Sequence, residues 1–183
     1  MLRIFLLFLC TVVTASASEA TPQRTGLHDF DFQIGEWRVH HRILRPGGKD
    51  EWVEMEGTCV VRPLARNSMN VEEHQFFRPT GNTFAVGLRA YDQQTATWAI
   101  WWVDGRAPHG PIDPPVKGKF ENGIGTFTND YMENGKPMRV RYVWSQITAN
   151  SAHWEQAQSA DAGATWQTNW IMDFRRKPAA HGK

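Results

Sequence analysis

The chain has 183 residues, and its 20 basic and 19 acidic side chains give a formal net charge of +1. Because the two signs are interspersed, the sequence lacks the basic patch expected of a nucleic-acid-binding protein. A length of this order fits one domain with a sizeable hydrophobic core. The 9 Trp and 10 Phe residues supply large apolar surfaces for such a core.

The N-terminus has the features of a secretory signal peptide. Arg3 precedes an apolar run over residues 4–13, which is followed by the small residues A-S-A at 15–17. This order predicts cleavage after residue 17 or 20 and export to the periplasm or the medium. The apolar run is too short for a permanent transmembrane helix, which needs about 20 residues. We therefore assign residues 1–20 to a signal peptide, 21–177 to one folded domain and 178–183 to a disordered tail.

The cysteine count limits which covalent bonds could stabilise the exported protein. Cleavage leaves Cys59 as its one cysteine, so an internal disulfide is excluded and packing alone must hold the fold. Because Cys59 lies within an apolar strand, we do not expect it to act as a nucleophile. A lipoprotein signal would attach lipid to Cys10, but the bulky residues 7–9 before it do not fit that alternative.

Beyond the leader, apolar and polar residues alternate with a period of two in segments rich in Val, Ile, Thr and aromatic residues. Alternation of this kind predicts β-strands, and no segment keeps a helical period. Ten strands are predicted, over residues 37–44, 52–62, 68–76, 84–91, 97–103, 116–120, 123–129, 138–147, 152–159 and 166–174.

Most connections between the predicted strands are short and rich in Gly, Asn and Pro, as in the E-N-G segments at 121–123 and 133–135. Short turns force each strand to pair with its sequence neighbour, which produces an antiparallel meander. Closure into a barrel buries one face of a meander and removes both exposed edges. We therefore predict an all-β fold, an up-and-down barrel of about ten strands. A two-sheet sandwich is the alternative, but it would need longer crossovers.

Two segments outside the strands are expected to lie at the barrel ends. Residues 104–115 contain four prolines, which make this connection stiff and unsuited to strand pairing. We expect it to cover one barrel mouth or to lie beside it. Residues 27–34, with Phe30 and Phe32, are expected to form a short helical turn that plugs the other end.

Residues 30–37 read F-D-F-Q-I-G-E-W, and this segment resembles the Gly-x-Trp entrance of lipocalin-like (calycin) barrels. It is similar in particular to a bacterial family of unknown function whose first strand follows an F-D-F-x-I-G-x-W motif. The resemblance implies that Gly35 and Trp37 are structural and that an Arg near the last strand stacks on Trp37. Arg175 or Arg176 is the implied partner, and we assign the role to Arg175. The resemblance extends through Trp52, residues 70–74, Trp144, residues 154–156 and residues 169–172.

Residues 159–166 read S-A-D-A-G-A-T-W and fit the Asp-box hairpin pattern that recurs in sialidase propellers. Asp161 is expected to accept backbone N–H bonds within the turn, Gly163 to take a positive φ, and Trp166 to pack under the loop. Because the motif occurs once and no repeated blades are present, we interpret it as a turn-stabilising device.

Charged residues within the predicted strands are candidates for an interior site. Alternation places Glu73 with Met69 and Val71 on one face, and Arg89 with Gly87 on the facing strand, so that Glu73 and Arg89 pair inside the barrel. Such a pair among aromatic side chains suits a small, flat ligand. The alternative is that these charges lie on the solvent face. The predicted ligand-binding residues are Glu73, His74, Arg89, Trp101, Arg141, Trp154, Glu155 and Trp170.

The sequence has no metal-binding spacing. His40 and His41 are adjacent and point to opposite faces of their strand, and neither H-E-x-x-H nor paired cysteines occur. We therefore predict no metal site and no cofactor. A haem ligated by His74, His109 or His153 is the alternative, because some similar ten-stranded barrels hold one through a histidine.

The sequence is compatible with three functions. The first is an exported protein that binds a small apolar or aromatic molecule in its interior. The second is a cofactor-independent isomerase, cyclase or lyase with Glu73 or Glu155 as general base beside His74. The third is an envelope protein whose barrel is filled by its own side chains, with no cavity above about 300 Å³. A carboxyl group with a raised pKa beside a cavity would favour the enzyme hypothesis. A carboxylate that is fully paired with arginine would favour a non-catalytic role.

Overall fold

The structure is a computed structural model that describes residues 26–45, 47 and 50–178. The predicted signal peptide, its cleavage site and the last five residues of the predicted tail lie outside the described residues. Within the described part of the chain, no helix is long and apolar enough to cross a bilayer.

Ten antiparallel strands follow one another around a closed barrel, in which the last strand pairs with the first. The predicted all-β meander barrel is therefore confirmed, and each predicted strand overlaps an observed one. The strands are β1 (Gly35–Leu44), β2 (Trp52–Leu64), β3 (Met69–Phe76), β4 (Thr83–Asp92), β5 (Thr97–Asp104), β6 (Val116–Glu121), β7 (Ile124–Glu133), β8 (Lys136–Ser145), β9 (Ser151–Ser159) and β10 (Gln167–Arg176). Short 3-10 turns span Gly26–His28, Asp31–Gln33 and Ala65–Asn67.

Two-residue turns set the register of the tightest hairpins. Asn134 and Gly135 both have positive φ, 51° and 77°, and the residues on either side of them pair directly. Asn122 and Gly123 repeat this arrangement between β6 and β7. Positive φ at both turn positions matches the right-handed twist of the strands, which is why Asn-Gly is favoured there.

One end of the barrel is closed by the N-terminal 3-10 turns, as predicted from residues 27–34. Phe30 is 1% exposed and lies 5.1 Å, ring centroid to centroid, from Trp98 and 5.0 Å from Phe120. The indole of Trp37 is fully buried and donates a 2.7 Å hydrogen bond to the carbonyl oxygen of Gln33. We call this the closed end, and its aromatic residues form the core of the fold.

Arg176, and not Arg175, stacks on Trp37, with its guanidinium carbon 4.1 Å from the ring centroid. The assignment to Arg175 is corrected by strand register, because Trp37 pairs directly with Arg176 and opposite residues share a face. Gly35 has a φ of 122°, and a Cβ there would stand 2.7 Å from a guanidinium nitrogen of Arg176. Glycine is therefore required in the Gly-x-Trp segment both by its backbone angle and by the approach of the arginine.

The barrel wall is incomplete beside β6. This strand pairs with β5 through Trp98, Ala99 and Ile100, and with β7 as far as Thr128. In the described structure, residues 101–104 of β5 and 129–133 of β7 therefore have no β6 partner. The proline-rich segment before β6 cannot extend the ladder, since proline has no N–H to donate. Asn129 instead donates a 3.4 Å side-chain hydrogen bond to the carbonyl of Pro114.

The single Asp-box forms the β9–β10 turn. Asp161 accepts a 2.9 Å hydrogen bond from the backbone N–H of Thr165, and Gly163 has a φ of 96°. Trp166 lies on the outer surface of the barrel, where the Arg141 guanidinium stands 4.1 Å from its ring centroid.

Candidate ligand-binding site at the open end

The end opposite the N-terminal turns is open, and strand alternation decides which side chains reach it. On β3 the inward residues are Asn70, Glu72, His74 and Phe76, all of them buried. Polar groups thus line one interior wall, while aromatic residues of β5, β8, β9 and β10 line the rest.

A buried ion pair between Glu72 and Arg89 forms the polar centre of the interior. The two side chains are 6% and 1% exposed, and the Arg89 guanidinium donates to a Glu72 carboxylate oxygen. Arg89 also donates a 2.9 Å hydrogen bond to the Asn70 side chain and lies 4.6 Å from the Phe30 ring centroid. A buried charge needs both an opposite charge and hydrogen-bond partners. The two terminal nitrogens of Arg89 have them, whereas its buried Nε has no acceptor among the described residues.

The ion pair controls the protonation of Glu72. Burial by itself raises the pKa of this carboxyl, but the positive charge of Arg89 and the neighbouring His74 ring, whose Nε2 lies 3.4 Å from the carboxylate, outweigh it and lower the pKa to about 2. Glu72 is therefore ionised and paired at neutral pH. A general base poised near neutrality needs a raised carboxyl pKa, so this carboxylate does not support the enzyme hypothesis.

The predicted Glu73–Arg89 pair is wrong. Glu73 lies on the outer surface, where it accepts a 2.7 Å hydrogen bond from Arg62, and both side chains are more than half exposed. Glu72, one residue earlier, takes the inward position. Since side chains alternate along a strand, a one-residue error in the choice of face exchanges the two glutamates.

Glu72 also brings together a set of groups that the sequence did not connect. Ligand atoms of Cys59, Glu72 and His74 lie within 4.8 Å of one another, which is compatible with a metal ion. However, Arg89 already occupies the shared carboxylate oxygen, and burial raises the pKa of the Cys59 thiol. A thiol that stays protonated is a poor metal ligand. This triad is better described as a structural cluster beneath Arg89.

His41 makes the stability of the barrel dependent on pH. Burial lowers its pKa to about 3, and the electrostatic interaction with the neighbouring His74 ring adds to the effect. An unfolded His41 binds a proton near pH 6.5 and the folded one does not, so its contribution is complete above pH 6.5 and lost as pH falls toward 3. From this residue we expect the free energy of unfolding to decrease by up to about 1.4 kcal/mol per pH unit below 6.5.

Urea unfolding at pH 7.5 and pH 5 measures this loss, and the pH window stays above the range in which Glu72 titrates. A His41→Gln variant should show a smaller loss than the wild type. His109→Gln, in the exposed proline-rich connection, is the control and should behave as the wild type. Equal pH dependence in the wild type and in His41→Gln would refute the assignment.

Three tryptophans divide the open half of the barrel. The rings of Trp102 and Trp170 meet edge to face with centroids 5.6 Å apart, and Trp154 meets Trp170 in the same way at 5.4 Å. We call Trp102, Trp154 and Trp170 the aromatic partition. The space between the partition and the Glu72–Arg89 pair is about 20 Å³, enough for roughly one water molecule.

A first cavity of about 390 Å³ lies on the β1–β4 side of the partition. We call it the arginine chamber, because its rim carries three guanidiniums above apolar walls. Its lining includes Arg45, Arg78, Arg106, Phe76, Trp102 and Trp170.

A second cavity of about 550 Å³ lies on the β6–β9 side, next to the incomplete part of the wall. We call it the amide chamber. Asp113 and Pro114 border it, so the proline-rich connection lies beside a barrel mouth as expected. Burial raises the pKa of Tyr142 in its wall to about 12, which keeps this phenol neutral. The lining also includes Trp102, Asn129, Gln156 and Gln158.

The structure places the predicted site residues in two groups. His74, Arg89, Trp154 and Trp170 face the interior, and the last three border the space beside the ion pair. Glu73, Trp101, Arg141 and Glu155 lie on the alternate, outward positions of their strands. Their predicted place in the interior is therefore wrong.

The histidines named for a haem are separated. The His74 ring is fully buried, 5.2 Å from Trp102 centroid to centroid, and borders neither chamber. His109 is exposed in the proline-rich connection. His153 is on the outside of β9, where its two ring nitrogens meet Asp173 at 2.6 Å and Glu155 at 2.9 Å.

Sequence reasoning missed Glu72, Trp102 and Arg78. Glu72 shares its alternation with Phe76, and Gly87 on the facing strand leaves room for the carboxylate, since a Cβ at residue 87 would collide with it. An inward glycine opposite an acidic residue was the available signal. Arg78 follows the strand end by two residues, and nothing in its local pattern marks it.

A closed ten-stranded meander, plugged at one end and hollow at the other, defines this chain as a lipocalin-like β-barrel. Among the solved structures that are similar to it, two have a TM-score of 0.57. Rv2717c from M. tuberculosis is 11% identical, and the match covers 87% of this chain and 100% of that one. The S-type phycobiliprotein lyase CPES from Guillardia theta is 9% identical, with 86% and 99% covered. At these identities the likeness shows the fold alone.

Neither a family model nor a curated protein matches the sequence. The resemblance to the family with the F-D-F-x-I-G-x-W motif therefore stays a prediction.

Proposed function

We propose that this chain is an exported binding protein that holds a small apolar or aromatic molecule at the open end of its barrel. The observation that carries the proposal is the pair of cavities, about 390 and 550 Å³, that share the Trp102 side chain as a wall. Both volumes fall within the usual range of small-molecule sites, about 300–1,000 Å³. Tryptophan faces suit flat, apolar ligands. The fold likeness to a phycobiliprotein lyase also supports a small-molecule role.

The other two functions gain less support. The inward carboxylate is paired with Arg89 and has a lowered pKa, so it is not poised as a base. The filled-barrel hypothesis fits the closed half of the interior but not the open half, where both cavities exceed about 300 Å³.

Native mass spectrometry of the protein purified from its own host tests the proposal directly. We expect a co-purifying molecule of small mass that is released on unfolding. Titration with the neutral fluorescent probe N-phenyl-1-naphthylamine gives a second measurement, in which saturable binding near one molecule per chain is expected.

Two adjacent tryptophans provide a matched pair for that titration. Trp102 borders both chambers, whereas Trp101 lies on the alternate, outward face of β5. Trp102→Ala should weaken binding of the probe by about tenfold, because an aromatic contact is worth about 0.5–1.5 kcal/mol beyond the buried area. Trp101→Ala should leave it within about twofold. Absence of both a co-purifying molecule and saturable probe binding would overturn the proposal.

A further inference from the structure

We propose that the arginine chamber selects amphipathic anions, that is, molecules with an apolar body and one oxyanion group such as a carboxylate, and that Arg78 pairs with the anion. This inference rests on the proposed function and specifies the ligand class of one of the two chambers.

The chamber has the amphipathic character that such a ligand requires. Its apolar wall is built by β1, β2 and β3 with Ile43, Val53, Met55 and Phe76. Trp102 and Trp170 of the aromatic partition close its inner end. Its rim carries the guanidiniums of Arg45, Arg78 and Arg106. An apolar body would lie on the partition while its charged group remains at the rim, where water is available.

Two of the three rim arginines are already paired. Arg45 lies 3.4 Å from a carboxylate oxygen of Glu51. Arg106 donates hydrogen bonds to both carboxylate oxygens of Asp104, and this pairing lowers the pKa of Asp104. These guanidiniums contribute positive charge, but their strongest hydrogen-bonding positions are occupied within the protein.

Arg78 differs from both. Its Nε donates a 3.1 Å hydrogen bond to the Thr83 hydroxyl across the β3–β4 hairpin, and its guanidinium carbon lies 5.7 Å from the Phe76 ring centroid. Among the described residues, no carboxylate oxygen lies within 4.0 Å of Arg78, and no acceptor takes a hydrogen bond from its two terminal nitrogens. The guanidinium is half-buried and held in place while the two nitrogens that form a bidentate pair with an oxyanion are available.

The charge balance of the rim favours an anion. Three arginines face two carboxylates, Glu51 and Asp104, which leaves an excess of one positive charge. The pKa of His41 is lowered first by burial and then by its histidine neighbours, and the positive charge of Arg78 adds a smaller contribution. Apolar walls strengthen such a field.

The amide chamber has the opposite balance. Its described lining includes Asp113 and Asp130 and no lysine or arginine. Arg139 pairs with Asp130, so the charge of Asp113 leaves an excess of one negative charge. An anion that reaches the open end is therefore directed to the arginine chamber, whereas a neutral molecule has no electrostatic reason to prefer it.

Two fluorescent probes with the same aromatic body separate the effect of charge from that of the apolar surface. The anionic probe 8-anilino-1-naphthalenesulfonate differs from neutral N-phenyl-1-naphthylamine by its sulfonate group. The wild type should bind the anion more tightly. Arg78→Gln should weaken binding of the anionic probe by about tenfold, because a charge-assisted pair is lost, and change binding of the neutral probe by less than about twofold. Arg38→Gln, exposed on the outer face of β1, is the control and should change neither.

Salt dependence in the wild type tests the same pairing without a substitution, should the variant not fold. Raising ionic strength from about 0.05 to 0.5 M should weaken anion binding several-fold and leave the neutral probe unaffected. Equal loss of both probes in Arg78→Gln, or equal salt dependence of both in the wild type, would overturn the inference. Failure of both probes to bind saturably, together with the absence of a co-purifying molecule, would instead overturn the proposed function, so the two outcomes are distinguishable.

Discussion

Replacing Glu72 with Gln should lower the free energy of unfolding by about 3–5 kcal/mol, since it leaves the Arg89 charge buried without a counter-ion. Arg89 is 1% exposed, and the Asn70 side chain that remains is a neutral partner. Cys59 and His74 surround the same carboxylate and carry no negative charge to replace it. Urea or thermal unfolding measures the effect.

The neighbouring glutamate is the matched control for this substitution. Glu73→Gln removes an exposed ion pair with Arg62 and should change stability by less than about 0.5 kcal/mol. A double variant, Glu72→Gln with Arg89→Met, should recover part of the loss, because removing both charges avoids the unpaired guanidinium. Similar losses for the substitutions at 72 and 73 would show that the interior face has been assigned incorrectly.

Arg176→Ala should lower the free energy of unfolding by about 3 kcal/mol, the second-largest effect expected here. The guanidinium donates to the carbonyl oxygens of Phe32 and Ile34, and to that of Ala149 at 2.7 Å, while its face covers Trp37. Arg176 thus connects the N-terminal turns, the β8–β9 loop and Trp37 at the closed end. Loss of this one side chain leaves three carbonyls to find new partners and exposes the indole.

Arg175→Ala provides the comparison, because Arg175 is exposed and faces outward beside Arg176. It should change stability by less than about 0.5 kcal/mol. Arg176→Lys should lower the free energy of unfolding by an intermediate amount. Lysine keeps the charge but can neither stack on the indole nor donate to two carbonyl oxygens in the geometry of a guanidinium. If thermal unfolding shows equal losses for alanine at 175 and at 176, Arg176 does not hold the closed end together.

Much of the fold could be predicted from the sequence because the relevant signals are local. Period-two alternation located the strands, and the Asn-Gly turns set which strands pair. Since every connection but one is short, a meander was favoured over a two-sheet sandwich, and closure into a barrel buries one face of a ten-stranded meander and removes its edges. The role of Phe30 at the closed end followed from the same reasoning, because an apolar turn before the first strand has a barrel end to cover.

The site was harder to predict because alternation identifies two faces without saying which one is inside. In the third strand both faces carry mixed residues: Val71 and Glu73 lie on one side, Glu72 and His74 on the other. The more polar face of this strand points into the barrel, although hydrophobicity alone would favour the other face. It does so because Glu72 pairs there with Arg89 of β4. In the fifth strand, Trp101 and Trp102 are equally apolar, so no local pattern distinguishes them. Only the pairing of distant strands settles such cases.

The incomplete hydrogen bonding beside β6 makes local stability differ between two parts of the barrel. The Glu72–Arg89 pair and the stacked Trp37 lie among continuously bonded strands, so their disruption requires cooperative unfolding. In the part of the chain that the structure describes, the ends of β5 and β7 have no β6 partner, and we expect local opening there to cost little free energy. Because the amide chamber borders this part of the wall, we expect local opening to expose the chamber to solvent while the rest of the molecule stays folded.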